Sequence, residues 1–314
     1  MSLAIRFAYA GVWFIVVVIT FLVMGVLPSL FKAIWFAAFY LTLTLPARTL
    51  RVSSFGLLFF AGLLVVSHLT LAFQFTFTSL FLPPLWSNDG RFWHTVFLAP
   101  ITEEFAKLAA LLILLLIWKI NRARLAFGAT DVMLCGLAIG IGLNMFEDML
   151  IGSATITTPG IVTNILVPWT EMQTARGRPD VVFIGHAASA AFIGLALGWA
   201  RYLPRVIRYL PTLLVWLWMI WSHALYNGQD EFARGHLVFF TAPLTWITPY
   251  IFFIAASATA AFEAFLLHYR VTPVEYRNLT RRLAYARLWL RRHPRDRAQA
   301  ERGVTGIIAA LERD

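Results

Sequence analysis

Several ionisable residues lie inside apolar segments that are long enough to span a membrane. They are Glu103, Glu104, Lys107, Glu147 beside Asp148, His186, and His223 with Asn227. A charged group in hydrocarbon is costly and usually marks a functional site. Carboxylates and imidazoles together can activate water, as general bases or as ligands of a metal ion. The residue types therefore predict hydrolytic chemistry within a membrane.

The spacing of these residues puts them on shared helix faces. Glu103 and Glu104 precede Lys107 by four and three positions, and His223 precedes Asn227 by four. Residues at such separations lie on one side of a helix. A structural ion-pair cluster is the alternative for each group taken alone, but two carboxylates with one lysine leave a surplus charge that a structural pair does not need.

The composition determines the class of protein that must position these groups. Hydrophobic residues make up 60% of the 314 residues and charged residues 13%, and the mean hydropathy is +0.72. Too little polar surface remains to dissolve a globule of this size, which indicates a polytopic membrane protein. Cys135 is the only cysteine, which excludes a disulfide framework and a cysteine-rich metal site.

Hydropathy predicts an all-α transmembrane bundle of about eight spans, since each crossing needs roughly 17–25 residues. The predicted spans are 7–27, 30–46, 55–78, 94–118, 130–151, 181–200, 207–226 and 242–268. The second is short and ends at Pro46, so a re-entrant hairpin with the first is the alternative. We assign residues 1–268 to one membrane domain and 269–314 to a basic cytoplasmic tail.

Arginine and lysine concentrate in alternate loops, which predicts the orientation. Both termini should be cytoplasmic, with the 152–180 and 227–241 loops outside. The net charge of +10 is therefore a topology signal and indicates anionic lipid, not nucleic acid, as the partner of the basic segments. In the tail, apolar residues from Leu279 to Leu290 recur at helical spacing, as in a helix lying on the inner leaflet. A solvated charge run is the alternative.

The depths of the polar groups agree with one another. Counting about 1.5 Å per residue from the ends of the spans places Glu103, Glu147, His186 and His223 in the outer half of the bilayer. The spans were drawn without reference to these residues, so the agreement favours one shared site.

Two mechanisms remain open at this site. In the first, one of the paired glutamates, Glu103 or Glu104, is held ionised by Lys107 and by a helix that starts at Pro100, and acts as general base, while His223 and Asn227 support the oxyanion. In the second, Glu147, His186 and His223 bind a metal ion such as zinc and leave a position for water. The spacing is not of the H-E-x-x-H type.

Other polar residues fail the same test of depth and spacing. Asp131 follows Thr130 and is interpreted as an N-terminal helix cap. Glu263 lies near the inner end of the last span, away from the cluster. His68 has no companion at helical spacing and is assigned a structural role, and His94 is expected at the membrane interface.

At these residues the chain resembles the PrsW-type intramembrane proteases, relatives of the CAAX prenyl protease superfamily. The matching segments, in order over residues 100–228, are Glu103-Glu104-Phe105-Ala106-Lys107, the run from Gly140 to Glu147, His186 with Gly194 and Gly198, and His223-Ala224-Leu225-Tyr226-Asn227. Leu143, Asn144 and Asp148 depart from the family pattern around Glu147.

The resemblance implies a helical membrane protease in which Glu103, Glu104, His186 and His223 are essential, with Glu103 preferred as the base. It also implies a membrane-protein substrate. Signalling members cut a single-span anti-sigma factor outside the membrane, which suits the depth found above, whereas CAAX-type relatives act on cytoplasmic prenylated proteins. A proton- or cation-coupled transporter and a noncatalytic scaffold on a protease fold are the competing interpretations.

Overall fold

A computed structural model describes residues 27–84, 87–120, 128–151, 173–175, 178–228, 236–269, 271 and 275–276. The predicted first span therefore lies outside the described residues, except for Leu27. The predicted lipid-binding helix in the tail, from Leu279 onward, also lies outside them.

The described part of the chain is almost entirely helical. Its helices are α1 (Leu27–Leu43), α2 (Val52–Phe81), α3 (88–120), α4 (Ala129–Ile151), α5 (Gly185–Trp199), α6 (Leu210–Asn227) and α7 (His236–His268). Two of them contain π-helical turns, Gly62–Val66 in α2 and Trp93–Leu98 in α3. The all-α prediction is confirmed at this level.

Three of the described helices are long and apolar enough to cross a membrane, namely Val52–Phe81, Ala129–Leu150 and Thr241–His268. The other predicted spans do not meet that criterion within the described residues. The eight-span arrangement and the orientation of the termini accordingly stay predictions.

Helix α4 is the centre of the bundle, and its side chains are buried along nearly its whole length. Glycines allow its neighbours to approach very closely. A Cβ on Gly136 would overlap the carbonyl oxygen of Ala190 in α5, and a Cβ on Gly142 would overlap that of Phe59 in α2. Such contact between backbones holds α5 and the first half of α2 rigidly against α4.

A short β-hairpin precedes α5, which corrects the predicted span 181–200. Strand β1 (Gln173–Ala175) pairs antiparallel with β2 (Arg178–Phe183). The β-branched Val181 and Val182 favour a strand, and the helix begins only at Gly185, whose φ of 78° interrupts helical continuity. The Val182 amide donates to Thr245 Oγ1 at 3.0 Å, which anchors the hairpin to α7.

Two buried acids, Asp131 and Glu263, lie at the N-terminal end of α4. Asp131 accepts hydrogen bonds from the backbone amides of Thr49 and Leu50, both at 2.8 Å, so it fixes the segment that leads into α2. Asp131 also accepts from the Gly128 amide at 3.1 Å, as predicted for a helix cap. The next two amides, of Ala129 and Thr130, are capped by Glu263 of α7, at 2.5 and 2.9 Å. A carboxylate from a distant helix thus caps α4.

Pro100 does not start a new helix. The π-helical turn Trp93–Leu98 leads directly into Ala99–Ile120, so α3 continues through the proline. A π-turn accommodates the hydrogen bond that proline cannot donate. The helix N-terminus lies at Asn88, too far from Glu103 to stabilise its charge.

Candidate active site

Four helices bring the predicted residues together at one end of the bundle. Helix α3 supplies Glu103, Glu104 and Lys107, and α4 supplies Glu147. The remaining members are His186 in the first turn of α5 and His223 and Asn227 in the last two turns of α6.

Phe183, the last residue of β2, positions both imidazoles. Its ring stacks on His223, with 4.4 Å between centroids and 15° between planes, and meets His186 edge-on at 5.4 Å. The two imidazoles are themselves 5.0 Å apart. The hairpin is therefore part of the wall that fixes the histidine pair.

Glu104 is the completely buried member of the acidic pair. It accepts hydrogen bonds from Lys107 Nζ at 2.6 Å and from Ser189 Oγ at 2.5 Å, and its Oε1 lies 3.3 Å from Nδ1 of His223. Lys107 is also fully buried. Of the two glutamates that Lys107 could hold in the first mechanism, the structure pairs the lysine with Glu104.

Glu103 faces a different environment, with a side chain that is 15% exposed. Its Oε1 accepts a hydrogen bond from Gln74 Nε2 at 3.1 Å. Its Oε2 is buried without a hydrogen-bond partner in the described structure, 3.7 Å from His186 Nδ1 and 3.9 Å from His223 Nε2. A buried carboxylate oxygen left in this way is costly unless a water or an ion completes it.

Each histidine directs one ring nitrogen toward Glu103 Oε2 and contacts a second carboxylate through its other ring nitrogen. His186 Nε2 contacts Glu147 Oε2 at 2.7 Å, and its Nδ1 is buried without a hydrogen-bond partner in the described residues. His223 contacts Glu104 through Nδ1 and points Nε2 toward Glu103. Metal-binding histidines characteristically have a carboxylate on the second nitrogen.

These groups fit a metal ion. One ligand atom from each of Glu103, His186 and His223 lies within 4.8 Å of the others. Tetrahedral zinc, with bonds of about 2.0–2.1 Å, needs ligand atoms about 3.3 Å apart, slightly closer than the histidine–Glu103 distances here. This group contains Glu103 where the sequence-based ligand set has Glu147, whose Oε2 instead contacts His186 Nε2 at 2.7 Å.

A cavity of about 500 Å³ opens beside the cluster, between α2, α3 and α4, and we call it the site cavity. Glu103 and Glu147 lie in its wall, as does His94, for which the sequence predicts an interfacial position. Asn227 lies at its margin and donates to the carbonyl of Thr95 at 2.9 Å. This hydrogen bond links the end of α6 to α3, and the oxyanion role of Asn227 stays a prediction.

A model of one protein family matches residues 50–257, about two thirds of the chain, and describes PrsW family intramembrane metalloproteases. The chain belongs to the PrsW family. Membership makes it a membrane protein of a family of intramembrane proteases. Comparisons with curated proteins and with solved structures find no significant match.

The PrsW family match covers every residue of the cluster and three that sequence reasoning missed, namely Gln74, Phe183 and Ser189. The sequence could have indicated Gln74, because it belongs to a polar face on an otherwise apolar helix. The residues of this face are Ser67, Thr70, Gln74 and Thr78. Ser189 lies three positions after His186, on the same face of α5. Phe183 carried no signal, because aromatic residues are common throughout this sequence.

Proposed function

We propose that this protein is an intramembrane endopeptidase that hydrolyses a membrane-protein substrate with water activated at Glu103, His186 and His223. The supporting observation is the shared space between Glu103 Oε2, His186 Nδ1 and His223 Nε2, since two of these three atoms are buried without a hydrogen-bond partner in the described structure. A solely structural cluster would pair these atoms with each other or with neighbouring side chains.

The same three residues would hold a divalent metal ion such as zinc. When bound, such an ion supplies Lewis-acid chemistry that polarises a carbonyl group and activates water. Glu104 and Glu147 orient the two imidazoles, and Lys107 and Ser189 in turn hold Glu104.

The carboxylate that acts as general base differs between the metal-free and the metal-bound mechanism. Without a metal, Glu103 takes the proton of the attacking water and delivers it to the leaving amine. If Glu103 is a ligand, Glu147 takes that role, because its side chain is 39% exposed and lies in the wall of the site cavity. Glu104 is excluded from either role by its burial and its three partners.

We propose a single-span membrane protein as the substrate, an anti-sigma factor being one such protein. The predicted topology places the site in the outer half of the bilayer, which supports cleavage close to the outer face. A helical segment hides its peptide bonds in its own hydrogen bonds, so cleavage requires a juxtamembrane or unwound segment.

Two observations count against the competing functions. A transporter needs polar groups in both halves of the membrane for alternating access, but Asp131 and Glu263, the acids at the other end of α4, are engaged by backbone amides that they cap. A noncatalytic scaffold would have its polar groups fully paired and no room for water. The unpaired atoms and the site cavity favour an enzyme.

The test is co-expression with tagged single-span membrane proteins. We compare wild type, Glu103→Gln and His223→Ala for an external cleavage product, with and without a chelator. Glu103→Gln preserves shape but removes the basic carboxylate, so turnover should fall about 10²–10⁴-fold while the protein still inserts.

Loss of cleavage with chelator and recovery with zinc would select the metal mechanism over the metal-free one. Undiminished cleavage by both variants would exclude these residues from catalysis. Absence of cleavage by wild type, with pH-dependent ion flux in liposomes, would instead support a transporter.

A further inference from the structure

One wall of the site cavity is a row of hydrogen-bond acceptors on α2. Ser67, Thr70 and Gln74 line the cavity at positions i, i+3 and i+7 of this helix. All three side chains are at most 7% exposed. We call these three residues the acceptor row. The opposite wall, on α4, is apolar apart from Glu147 and contains Leu143, Phe146 and Leu150.

The hydroxyl groups of Ser67 and Thr70 already donate their hydrogens to carbonyl groups of α2. Ser67 Oγ donates to the Gly62 carbonyl and Thr70 Oγ1 donates to the Val66 carbonyl, both at 2.7 Å. What these side chains offer to the cavity is therefore the lone pairs of their oxygens. A ligand that binds there must bring donors.

Gln74 also offers only an acceptor to the cavity, and it lies closer to the cluster. Both hydrogens of its amide are donated, to Thr102 Oγ1 at 2.8 Å and to Glu103 Oε1 at 3.1 Å. The Thr102 hydroxyl donates to carbonyls of its own helix, so it can only accept here, and this fixes which end of the Gln74 amide is the nitrogen. The carbonyl oxygen of Gln74 makes no hydrogen bond among the described residues.

Within the acceptor row, the spacing of Thr70 and Gln74 is close to the repeat of an extended peptide. Thr70 and Gln74 are four residues apart, about 6 Å along the helix axis. In an extended strand, N–H groups on one edge recur every second residue, about 6.6–6.8 Å apart. A substrate segment that has unwound in the membrane exposes N–H groups that lipid cannot satisfy, and acceptors at this spacing would satisfy them.

We propose that the acceptor row binds the unwound substrate segment through its main-chain N–H groups, with its side chains against the apolar wall of α4. Gln74 links this binding to the cluster, because its amide nitrogen holds Glu103 while its oxygen receives the substrate. It is a positioning residue for Glu103. This inference rests on the proposed protease function and adds that recognition is of the backbone, with little dependence on substrate sequence.

The chain provides a matched control for the hydroxyl groups. Thr76 lies on the exposed side of α2 and donates to the Ala72 carbonyl, just as Thr70 donates to Val66. Thr70→Val and Thr76→Val therefore lose the same hydrogen bond within the helix, but only Thr70→Val removes an acceptor from the cavity.

The probe is a synthetic peptide with one apolar helix of about 20 residues, followed by a glycine-rich segment that carries a single cysteine. For its cleavage, Thr70→Val should raise KM roughly threefold to tenfold with kcat within about twofold. Thr76→Val should change neither constant. Gln74→Leu should raise KM and also lower kcat at least tenfold, because Glu103 loses its hydrogen bond.

Cross-linking tests docking separately from turnover. In a Glu103→Gln, Cys135→Ala background, Leu71→Cys lies in the cavity wall and Phe75→Cys lies on the exposed face. Copper-catalysed disulfide formation with the peptide should be at least fivefold faster at position 71 than at position 75.

Equal cross-linking at both positions, or equal KM values for Thr70→Val and Thr76→Val, would overturn the inference. If wild type cleaves nothing while position 71 still cross-links selectively, the docking surface stands and the protease function fails. If wild type cleaves the peptide without selective cross-linking, the protease function stands and the docking surface fails.

Discussion

Glu147 Oε2 lies 2.7 Å from His186 Nε2, and this contact turns the other ring nitrogen, Nδ1, toward Glu103. The acid on α4 thereby decides which side of the α5 imidazole is presented to the shared space. His223 is oriented in the same manner by Glu104.

The Glu147→Gln variant tests this orientation. An amide can hold the ring but cannot raise its basicity as a carboxylate does, so zinc affinity should fall about 10–100-fold. Cleavage should fall further than zinc affinity, because Glu147 is also the proposed general base when Glu103 is a ligand. Metal content measured after purification, together with peptide cleavage, checks the result. Asp148→Asn removes the adjacent charge, on a side chain that accepts a hydrogen bond from Asn144 at 3.2 Å, and should bind zinc like wild type. Wild-type zinc affinity in Glu147→Gln would show that the contact does not orient a ligand.

Lys107→Ala should destabilise the fold by about 3–5 kcal/mol, because it leaves Glu104 buried with an uncompensated charge. The double variant Glu104→Gln, Lys107→Met removes both charges and should recover most of that stability. Cleavage should not recover, because His223 still loses its carboxylate. Thermal unfolding in detergent, with cleavage measured in parallel, separates the two effects. A single variant as stable as wild type would contradict this assignment of the ion pair.

Gly136→Ala should destabilise by about 1–3 kcal/mol, since the added Cβ meets the backbone of Ala190 and neither helix can move freely. Gly56→Ala is the matched control in α2, where nothing lies within 4 Å of the added Cβ. It should be neutral or stabilising by about 0.5–1 kcal/mol. Thermal unfolding of both variants checks the close packing of α4 against α5, and equal stability of the two would refute it.

The orientation of the chain is testable with single cysteines in a Cys135→Ala background. Ile165→Cys, in the loop predicted to be external, should react with a membrane-impermeant maleimide added to intact cells. Ala123→Cys, in a loop predicted to be cytoplasmic, should react only after permeabilisation. The reverse pattern would also move the proposed cleavage to the other side of the membrane.

The membership of the cluster could be predicted from the sequence because it depends on local properties. A charged side chain within an apolar run is recognisable without knowing any neighbour, and helical periodicity shows which residues share a face. These properties single out Glu103, Glu104, His186 and His223, and the structure brings all four together. The same residues indicate the family to which the chain belongs.

The pairing of these groups was decided only by the tertiary structure. Periodicity allows Lys107 to reach either Glu103 or Glu104, and it pairs with Glu104 because Ser189 and His223 from other helices converge on the same carboxylate. Gln74, on yet another helix, then holds Glu103. Contacts between helices depend on crossing positions that no local pattern records.

The ends of the helices show the same division between sequence and structure. Asp131 accepts from the Gly128 amide at the start of α4, as a cap does, but it also accepts from Thr49 in the segment before α2. Glu263 caps the same end of α4 from 134 positions away along the chain. The sequence alone determined that buried carboxylates must find donors in this apolar protein. The tertiary structure decided which donors they find, because a hydrogen bond depends on proximity in space and not on separation along the chain.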